Sequence, residues 1–583
     1  MKKFMLGALP VFLLLLATAF TSTEDWQDKV DTEILEKTAD GASTDFIILI
    51  ADNTDLSAAE SLDKNGKAQY VYDALRQRAD ATQANVAAVL QDAGATFQAY
   101  FIVNMIYTAG NIDLIQNIAE MPEVEKIQVN PVAMTERLQP STAAGARTTT
   151  WGIQMINADD VWALGYTGQN VTVGGQDTGY EWEHPALKAR YRGWDGTNAD
   201  HDYNWHDSVH EQSPLNEDAN NPCGFDVEFP CDDNNHGTHT MGTMVGSDGD
   251  NEIGVAPDAK WMACRNMERG WGQLTTYVEC FEWFLAPTKI DGSAPDPTKA
   301  PHVIANSWGC PDIEGCNPDN FAVMETAVDN LRAAGTFVVV SAGNSGNQGC
   351  STVENPAAIF ENSFSVGATN EADDIAGFSS RGPVTVDNSG RRKPDVSAPG
   401  VGVLSSIRGG GYASFNGTSM AGPHVAGAVA LIISANPALA GDVETLENIL
   451  EQTAVGKTTE EDCGDIDGDA IPNNTYGYGR IDVLAAVNAA LDLISDTDNP
   501  ELNSALSVSP NPFTGSFSLN FSQSFGAAEI EIYDTAGRLV RSLQRHIAAG
   551  DAVRIDLKDA AAGVYFYSVR HETGTLEGKV LGR

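Results

Sequence analysis

Short apolar runs alternate with stretches of helical period along most of this chain, and the pattern changes character twice. Asp45-Phe46-Ile47-Ile48-Leu49-Ile50 reads as a strand, Ala68 to Leu90 as a helix, Phe97 to Tyr107 as a strand or hairpin, Ile112 to Glu120 as a helix and Val124 to Val129 as a last strand. That order predicts a small α+β unit. Farther on, Val338-Val339-Val340 is a continuous β-branched run leading into Gly343-Asn344, as expected of a buried parallel strand. After a polar linker the pattern becomes all-β. Leu506 to Phe513 opens it, Ile530 to Val540 reads as a hairpin, and Gly563 to Val569 alternates as a strand.

Candidate chemistry concentrates in the middle region. Asn416-Gly417-Thr418-Ser419-Met420-Ala421-Gly422-Pro423 reads as a serine mounted where a turn enters a helix. Gly417 permits a tight turn, and Pro423 is tolerated in a first helical turn. Unpaired N–H groups at a helix start favour the negative charge that develops when a serine attacks a carbonyl. A serine hydroxyl is a poor nucleophile unless a histidine takes its proton and a carboxylate orients that histidine. Both types occur upstream, as Asp177 at the end of the strand-like run Val171 to Asp177 and as His236 in His236-Gly237-Thr238-His239. Asn344, at the end of the apolar strand, offers an amide donor. Apart from the Ser419 run, each piece alone has an ordinary structural reading, as a turn, a helix start or, for His236, a metal ligand; the four in sequence argue for catalysis.

In that order the chain resembles the subtilisin-like serine proteases, over about residues 151–491, and through Gly175 to Tyr180, Cys264 to Met267 and Asn306 to Cys310 it resembles their bacillopeptidase F-like branch. Gly254-Val255-Ala256-Pro257, Phe378 to Pro383, Lys393 to Gly400 and Tyr478 to Asp482 carry the likeness further. Gln176 departs from the aliphatic residue usual before the acid. The resemblance implies an α/β fold with a doubly wound, mainly parallel sheet. It also implies that Asp177 orients the imidazole, His236 moves the proton, Ser419 attacks and Asn344 holds the oxyanion, while His239 is a neighbour and not the base. Ser307-Trp308-Gly309 and Ser341-Ala342-Gly343 would form the edges of the peptide groove. Glu354 would stand near the base of the primary specificity pocket and favour Lys or Arg. Residues 20–147 resemble an inhibitory propeptide with its linker, Pro140 to Arg147 being the expected processing zone. Residues 505–583, with Pro510-Asn511-Pro512, Gly563-Val564-Tyr565 and Lys579, resemble a type IX secretion sorting domain, a small sandwich; 492–504 is the linker. A carbohydrate-binding or adhesive sandwich is the rival there.

Composition adds boundaries. A chain of 583 residues exceeds one ordinary domain. Lys2-Lys3, the apolar run Phe4 to Leu16 and Ala17-Thr18-Ala19 fit a signal peptide over residues 1–19. No later stretch has roughly 18 uninterrupted apolar residues, so no transmembrane segment is expected in the mature chain. The net charge of −45, from 35 basic and 80 acidic residues, argues against nucleic acid or an anionic membrane as partner. Eight cysteines in an exported chain predict disulfides; Cys223 with Cys231 is one attractive close pair, although 105 connectivities are open.

The expectation is a secreted or surface-attached endopeptidase, exported through the periplasm. Its partners are protein or peptide substrates, its own propeptide and the type IX machinery. No cofactor is required for catalysis. Structural calcium is a separate expectation, since Asp465, Asp467 and Asp469 alternate around Gly468 as oxygen ligands do; a polar turn reads equally well. A surface adhesin or pseudoprotease, or a triad esterase, remains the alternative on the same scaffold.

Overall fold

In the computed structural model of the chain, the first unit is a four-stranded antiparallel sheet in the order β2-β3-β1-β4. Its elements are β1 (Thr44–Ile50), helix α1 (Lys64–Asp92), β2 (Phe97–Tyr100), β3 (Met105–Gly110), α2 (Ile112–Ala119) and β4 (Val124–Gln128). The structure describes residues 25–134, 139–140, 149–216, 220–249, 251–309, 316–318, 320–496, 505–534, 538–558, 563–571 and 574–582. The expected signal peptide, residues 141–147 of the processing zone, residues 497–504 of the linker and Cys310 lie outside them. Helix α1 starts four residues before the predicted Ala68. The Asp63 carboxylate accepts from the Gly66 N–H at 2.8 Å, so an N-cap, not the apolar period, sets the boundary.

Two short strands follow, β5 (Val132–Met134) and β6 (Gln139–Pro140). The large sheet then comprises β7 (Thr172–Asp177), β8 (Trp205–Asp207), β9 (Lys260–Arg265), β11 (Val303–Asn306), β12 (Phe337–Ser341), β13 (Phe364–Thr369) and β14 (Val396–Pro399). Its order is β14-β13-β12-β11-β7-β9-β8, with every pairing parallel. The helices that matter for the site are α3 (His236–Val245), α4 (Leu274–Leu285), α5 (Phe321–Ala333) and α6 (Thr418–Ala435). The short strand β10 (Trp271–Gln273) precedes α4, and the hairpin β15 (Val403–Ile407) and β16 (Gly411–Asn416) leads into α6. This is the expected doubly wound α/β architecture, in which ligands lie beyond the carboxyl ends of the strands. Helix α6 has the length and hydropathy of a membrane span, yet 94% of it is buried inside the protein, as the central helix of a packed core should be.

The polar Gln176 has a structural reason. It stands opposite Asn306 in the β7–β11 register and donates its Nε2 to Asn306 Oδ1 at 2.6 Å, while Asn306 Nδ2 donates to Val339 O at 3.0 Å. A ladder of buried amides thus ties three strands together just below the site.

The N-terminal unit shares a core with the large one: Val71, Leu75 and Ala79 of α1 cluster with Phe281 and Leu285 of α4 and Leu331 of α5. Polar contacts border it. Glu282 accepts from the N–H of Phe101 and of Ile102 (2.9 Å), and burial pushes its carboxyl up to about 7. The Lys64 ammonium donates to Ala334 O at 3.2 Å and Thr336 Oγ1 at 3.1 Å.

The C-terminal unit is all-β, its seven strands spanning Leu506–Thr514 to Gly574–Gly582. Their pairings are antiparallel except between the first and the last. Its core gathers Phe513, Phe517, Phe521, Ile530, Ile532, Val569 and Val580, and the predicted hairpin forms, with Tyr533 opposite Leu539. Among the described residues, disulfides join Cys223 to Cys231, Cys264 to Cys280 and Cys350 to Cys463. The first is the pair singled out in the sequence.

Candidate active site

Asp177 closes β7 and is buried, as is His236, the first residue of α3. His236 Nδ1 donates to Asp177, with 2.8 Å to Oδ1 and 2.9 Å to Oδ2. Asp177 also accepts from Thr178 N at 2.7 Å and from Thr240 Oγ1 at 3.5 Å, which fixes the carboxylate before it meets the imidazole. Gly237 makes this approach feasible. A Cβ there would fall 2.1 Å from Gly179 O and 3.1 Å from Asp177 Cβ, so any larger residue would push α3 off the end of β7.

Ser419 sits in the first turn of α6, and α6 packs against α3. Its Oγ donates to Ser307 O at 3.4 Å, and Ser307 Oγ donates back to Ser419 O at 3.3 Å. Ser341 Oγ lies 3.4 Å from Ser307 Oγ, and Gly343 N donates to Thr418 Oγ1 at 3.2 Å. Asn344 Oδ1 accepts from Thr418 N at 2.9 Å and from Thr418 Oγ1 at 3.1 Å. That fixes the carboxamide with its Nδ2 turned outward. Gly417 has φ 155° and ψ 158°, a conformation open in practice only to glycine. A Cβ placed on it would stand 3.4 Å from Asn344 Nδ2 and 3.6 Å from Ser419 N. Two N–H donors therefore border one small space beside the serine, the arrangement that binds a developing oxyanion.

Three histidines are buried in α3 and α6, and only His236 faces a carboxylate. His239 Nε2 lies 3.1 Å from both Val403 O and Ala413 O, and burial lowers its pKa to about 3. His424 Nδ1 donates to Met420 O at 2.8 Å, and burial brings it to about 4. Both are neutral packing residues at ordinary pH.

Sequence reasoning missed the carboxylates that anchor this end of α3. Asp232 accepts from Asn234 N, Asn235 N, Thr238 N and Thr238 Oγ1 at 2.6–3.1 Å, and from Thr178 Oγ1 at 3.0 Å. Burial still raises its pKa. An acidic residue ahead of a helix start was the available signal. Asp233 meets Arg265, whose guanidinium is fully buried and also forked onto Asp207 at 2.8 and 2.7 Å; burial pushes Asp233 up to about 8 against that guanidinium. Removing one partner of a buried ionic cluster leaves the others uncompensated. Arg265→Leu is expected to lower the unfolding free energy by about 3–5 kcal/mol, read as a shift in the urea midpoint; a loss below 1 kcal/mol would count against the lock.

Of the other expected residues, Ser307, Ser341 and Gly343 are brought against the Ser419 turn, with Trp308 and Ala342 buried behind them. A Cβ on Gly309 would lie 3.2 Å from Asn355 Cβ, so that edge adjoins the segment carrying Glu354, which is exposed. Arg381 is ion-paired with Glu461 at 2.9 Å. Asp465, Asp467 and Asp469 are all exposed and do not converge on one point. The trio of ligand atoms found within 4.8 Å among the described residues is Cys350, Glu461 and Cys463, and its two sulfurs are spent in a disulfide. The donor set thus does not fit a calcium ion.

Comparison with known proteins identifies the family. Residues 168–479 match the subtilase family and residues 507–581 match the secretion system C-terminal sorting domain. The chain is 35% identical over 509 residues to Bacillopeptidase F of Bacillus subtilis (strain 168), covering 81% of this chain and 33% of that protein. It is 33% identical over 343 residues to Subtilisin DY of Bacillus licheniformis, 58% of this chain and 99% of that one. To Subtilisin E of Bacillus subtilis (strain 168) it is 30% identical over 294 residues, 50% and 63% respectively. It therefore spans a third of the first relative and just under two thirds of the last. The chain belongs to the subtilase family, with a secretion sorting domain at its carboxyl end, as its motifs led one to expect. The chemistry of that family needs no catalytic cofactor.

Proposed function

We propose that the chain is an exported serine endopeptidase, made as a precursor and directed outward by its C-terminal domain. The observation that carries this reading is the pairing of Asp177 with His236 beside a serine turn where Asn344 Nδ2 and Ser419 N border one space. Ser419 Oγ attacks the scissile carbonyl as its proton passes to His236, and Asp177 stays ionised, holding the imidazole and stabilising its charge. The carbonyl oxygen becomes negative between the two N–H donors. His236 then protonates the leaving amine, and water repeats the sequence on the acyl-enzyme. Hydrolysis of casein by the matured chain tests the reading. Residues 507–581 favour export by the type IX route, with passage through the periplasm after a signal peptide at 1–19.

The N-terminal unit acts as the propeptide. Strand β5 pairs with β10, and β6 pairs with β16 three residues ahead of Ser419. The pairing of these two strands with β10 and with β16 supports a maturation cut between Met134 and Gln139, upstream of the Pro140–Arg147 zone. Thr135-Glu136-Arg137-Leu138 joins the two, and Arg137 is its one basic residue. If Glu354 selects Lys or Arg, the cut falls at Arg137–Leu138. Sequencing the mature amino terminus is expected to begin at Leu138; a terminus at Arg137, from a cut after Glu136, would remove the basic preference.

A further inference from the structure

The ends of β7 and β11 carry the two halves of the site, and one row of residues lies immediately before them. Asp177 ends β7, and Ser307, which follows β11, is hydrogen-bonded to both the Oγ and the carbonyl of Ser419. One residue earlier, Cys264, Gln176, Asn306 and Val340 stand side by side across β9, β7, β11 and β12. Buried parallel strands are ordinarily apolar on both faces. Gln176 and Asn306, both buried, break that rule at the row next to the chemistry.

The amide pair is a poor device for stability. Gln176 Nε2 donates to Asn306 Oδ1 at 2.6 Å and Asn306 Nδ2 to Val339 O at 3.0 Å, but Gln176 Oε1 is buried with no hydrogen-bond partner. A buried acceptor left unpaired costs more than one amide hydrogen bond contributes, and two apolar side chains of the same shape would serve the core as well or better. What the pair does fix is geometry. An apolar contact tolerates sliding, whereas a hydrogen bond between two short side chains weakens steeply outside a narrow range of distance and angle. Gln176 and Asn306 therefore set the spacing between the ends of β7 and β11. The second bond ties β11 to β12, from which Ser341 Oγ reaches to 3.4 Å from Ser307 Oγ. At the other end of the row, Cys264 is joined covalently to Cys280 of α4.

We propose that Gln176 and Asn306 are positioning residues, which hold the Asp177–His236 pair at its working distance from Ser419. The inference rests on the endopeptidase reading. Its route is short: Gln176 precedes Asp177, which accepts from His236 Nδ1, and Asn306 precedes Ser307, which meets Ser419. Neither amide touches substrate or the reacting atoms, and each acts through the residue after it. A misplacement of about 1 Å can cost about 100-fold in rate, so a slackening of about 0.5 Å between the two strands is expected to cost about tenfold in kcat. Ser307 and Ser419 are bonded to each other in both directions and move together, so binding of the peptide beside the serine is left as it was.

The test compares the matured full chain with Gln176→Leu, Asn306→Leu and the double variant. It reads kcat and KM on a quenched peptide that the parent cuts, the rate at which a sulfonyl fluoride inactivates Ser419, and the urea midpoint. The double variant removes both amides, and with them the unpaired Gln176 Oε1, so its midpoint is expected to equal or exceed the parent's. Its kcat is nevertheless expected to fall about tenfold, with inactivation slowed in step and KM changed by less than about twofold. Stability kept while the reactivity of Ser419 falls is what positioning requires and a structural role does not give. Each single variant breaks the same bond and stands in if the double variant does not fold. Unchanged kcat and inactivation in a folded variant would overturn the inference and leave the endopeptidase reading standing. So would losses in kcat that merely follow the urea midpoint, or a failure of all three variants to fold, since either makes the ladder structural. Hydrolysis of no peptide by the folded, matured parent would instead overturn the reading beneath it.

Discussion

Ser419→Ala is expected to lower casein hydrolysis by about 10⁶-fold, the scale of nucleophile removal in triad hydrolases of this family, and to leave the chain uncut between Met134 and Gln139. The loss is chemical. Ser419 is buried at the start of a helix whose remaining side chains are almost all buried, and its Oγ makes one long hydrogen bond, to Ser307 O. Removing that bond costs about 1 kcal/mol, too little to unfold a chain of this size. Its two donors, Asn344 Nδ2 and the N–H of residue 419, stay in place, so weak residual hydrolysis above the uncatalysed rate is expected. Cleavage between Met134 and Gln139 in the alanine chain, expressed alone, would show that another protease matures it. Undiminished casein hydrolysis would remove Ser419 from the mechanism.

Much of the site was legible because its motifs are steric statements as well as chemical ones. Gly237 and Gly417 stand where a Cβ would displace a helix or fill the space beside two donors, so the letters around His236 and Ser419 carry the geometry with them. The parallel sheet was legible from the apolar run at Val338–Val340 for a similar reason, since water reaches neither face. What the sequence did not disclose was long-range polar pairing. Arg265 finds Asp207 and Asp233 across 58 and 32 residues, and nothing in the local pattern around any of them says so. Gln176 looked like an irregularity until its register partner Asn306 was known. Asp465, Asp467 and Asp469 are exposed, and equal spacing on an exposed turn does not by itself make side chains converge.

Asp177→Asn should reduce kcat by about 10⁴-fold while leaving the urea midpoint nearly unchanged. Asp177 accepts from His236 Nδ1, Thr178 N and Thr240 Oγ1, and an asparagine can accept through only one of its two atoms. Its amide N–H would turn toward His236 Nδ1 and make that nitrogen an acceptor. The imidazole proton then sits on Nε2, the atom that must take the Ser419 proton, and the base is blocked in the wrong tautomer. Asp232 supplies the control, since it too is a buried carboxylate beside this helix start and accepts from Thr178 and Thr238 instead of His236. Burial already raises its pKa, so Asp232→Asn exchanges a strained charge for a neutral cap and should change kcat by less than about tenfold. Measured at saturating peptide, equal losses in the two variants would mean that Asp177 serves the fold alone. A large loss confined to Asp177→Asn is what orientation of His236 by that one carboxylate requires.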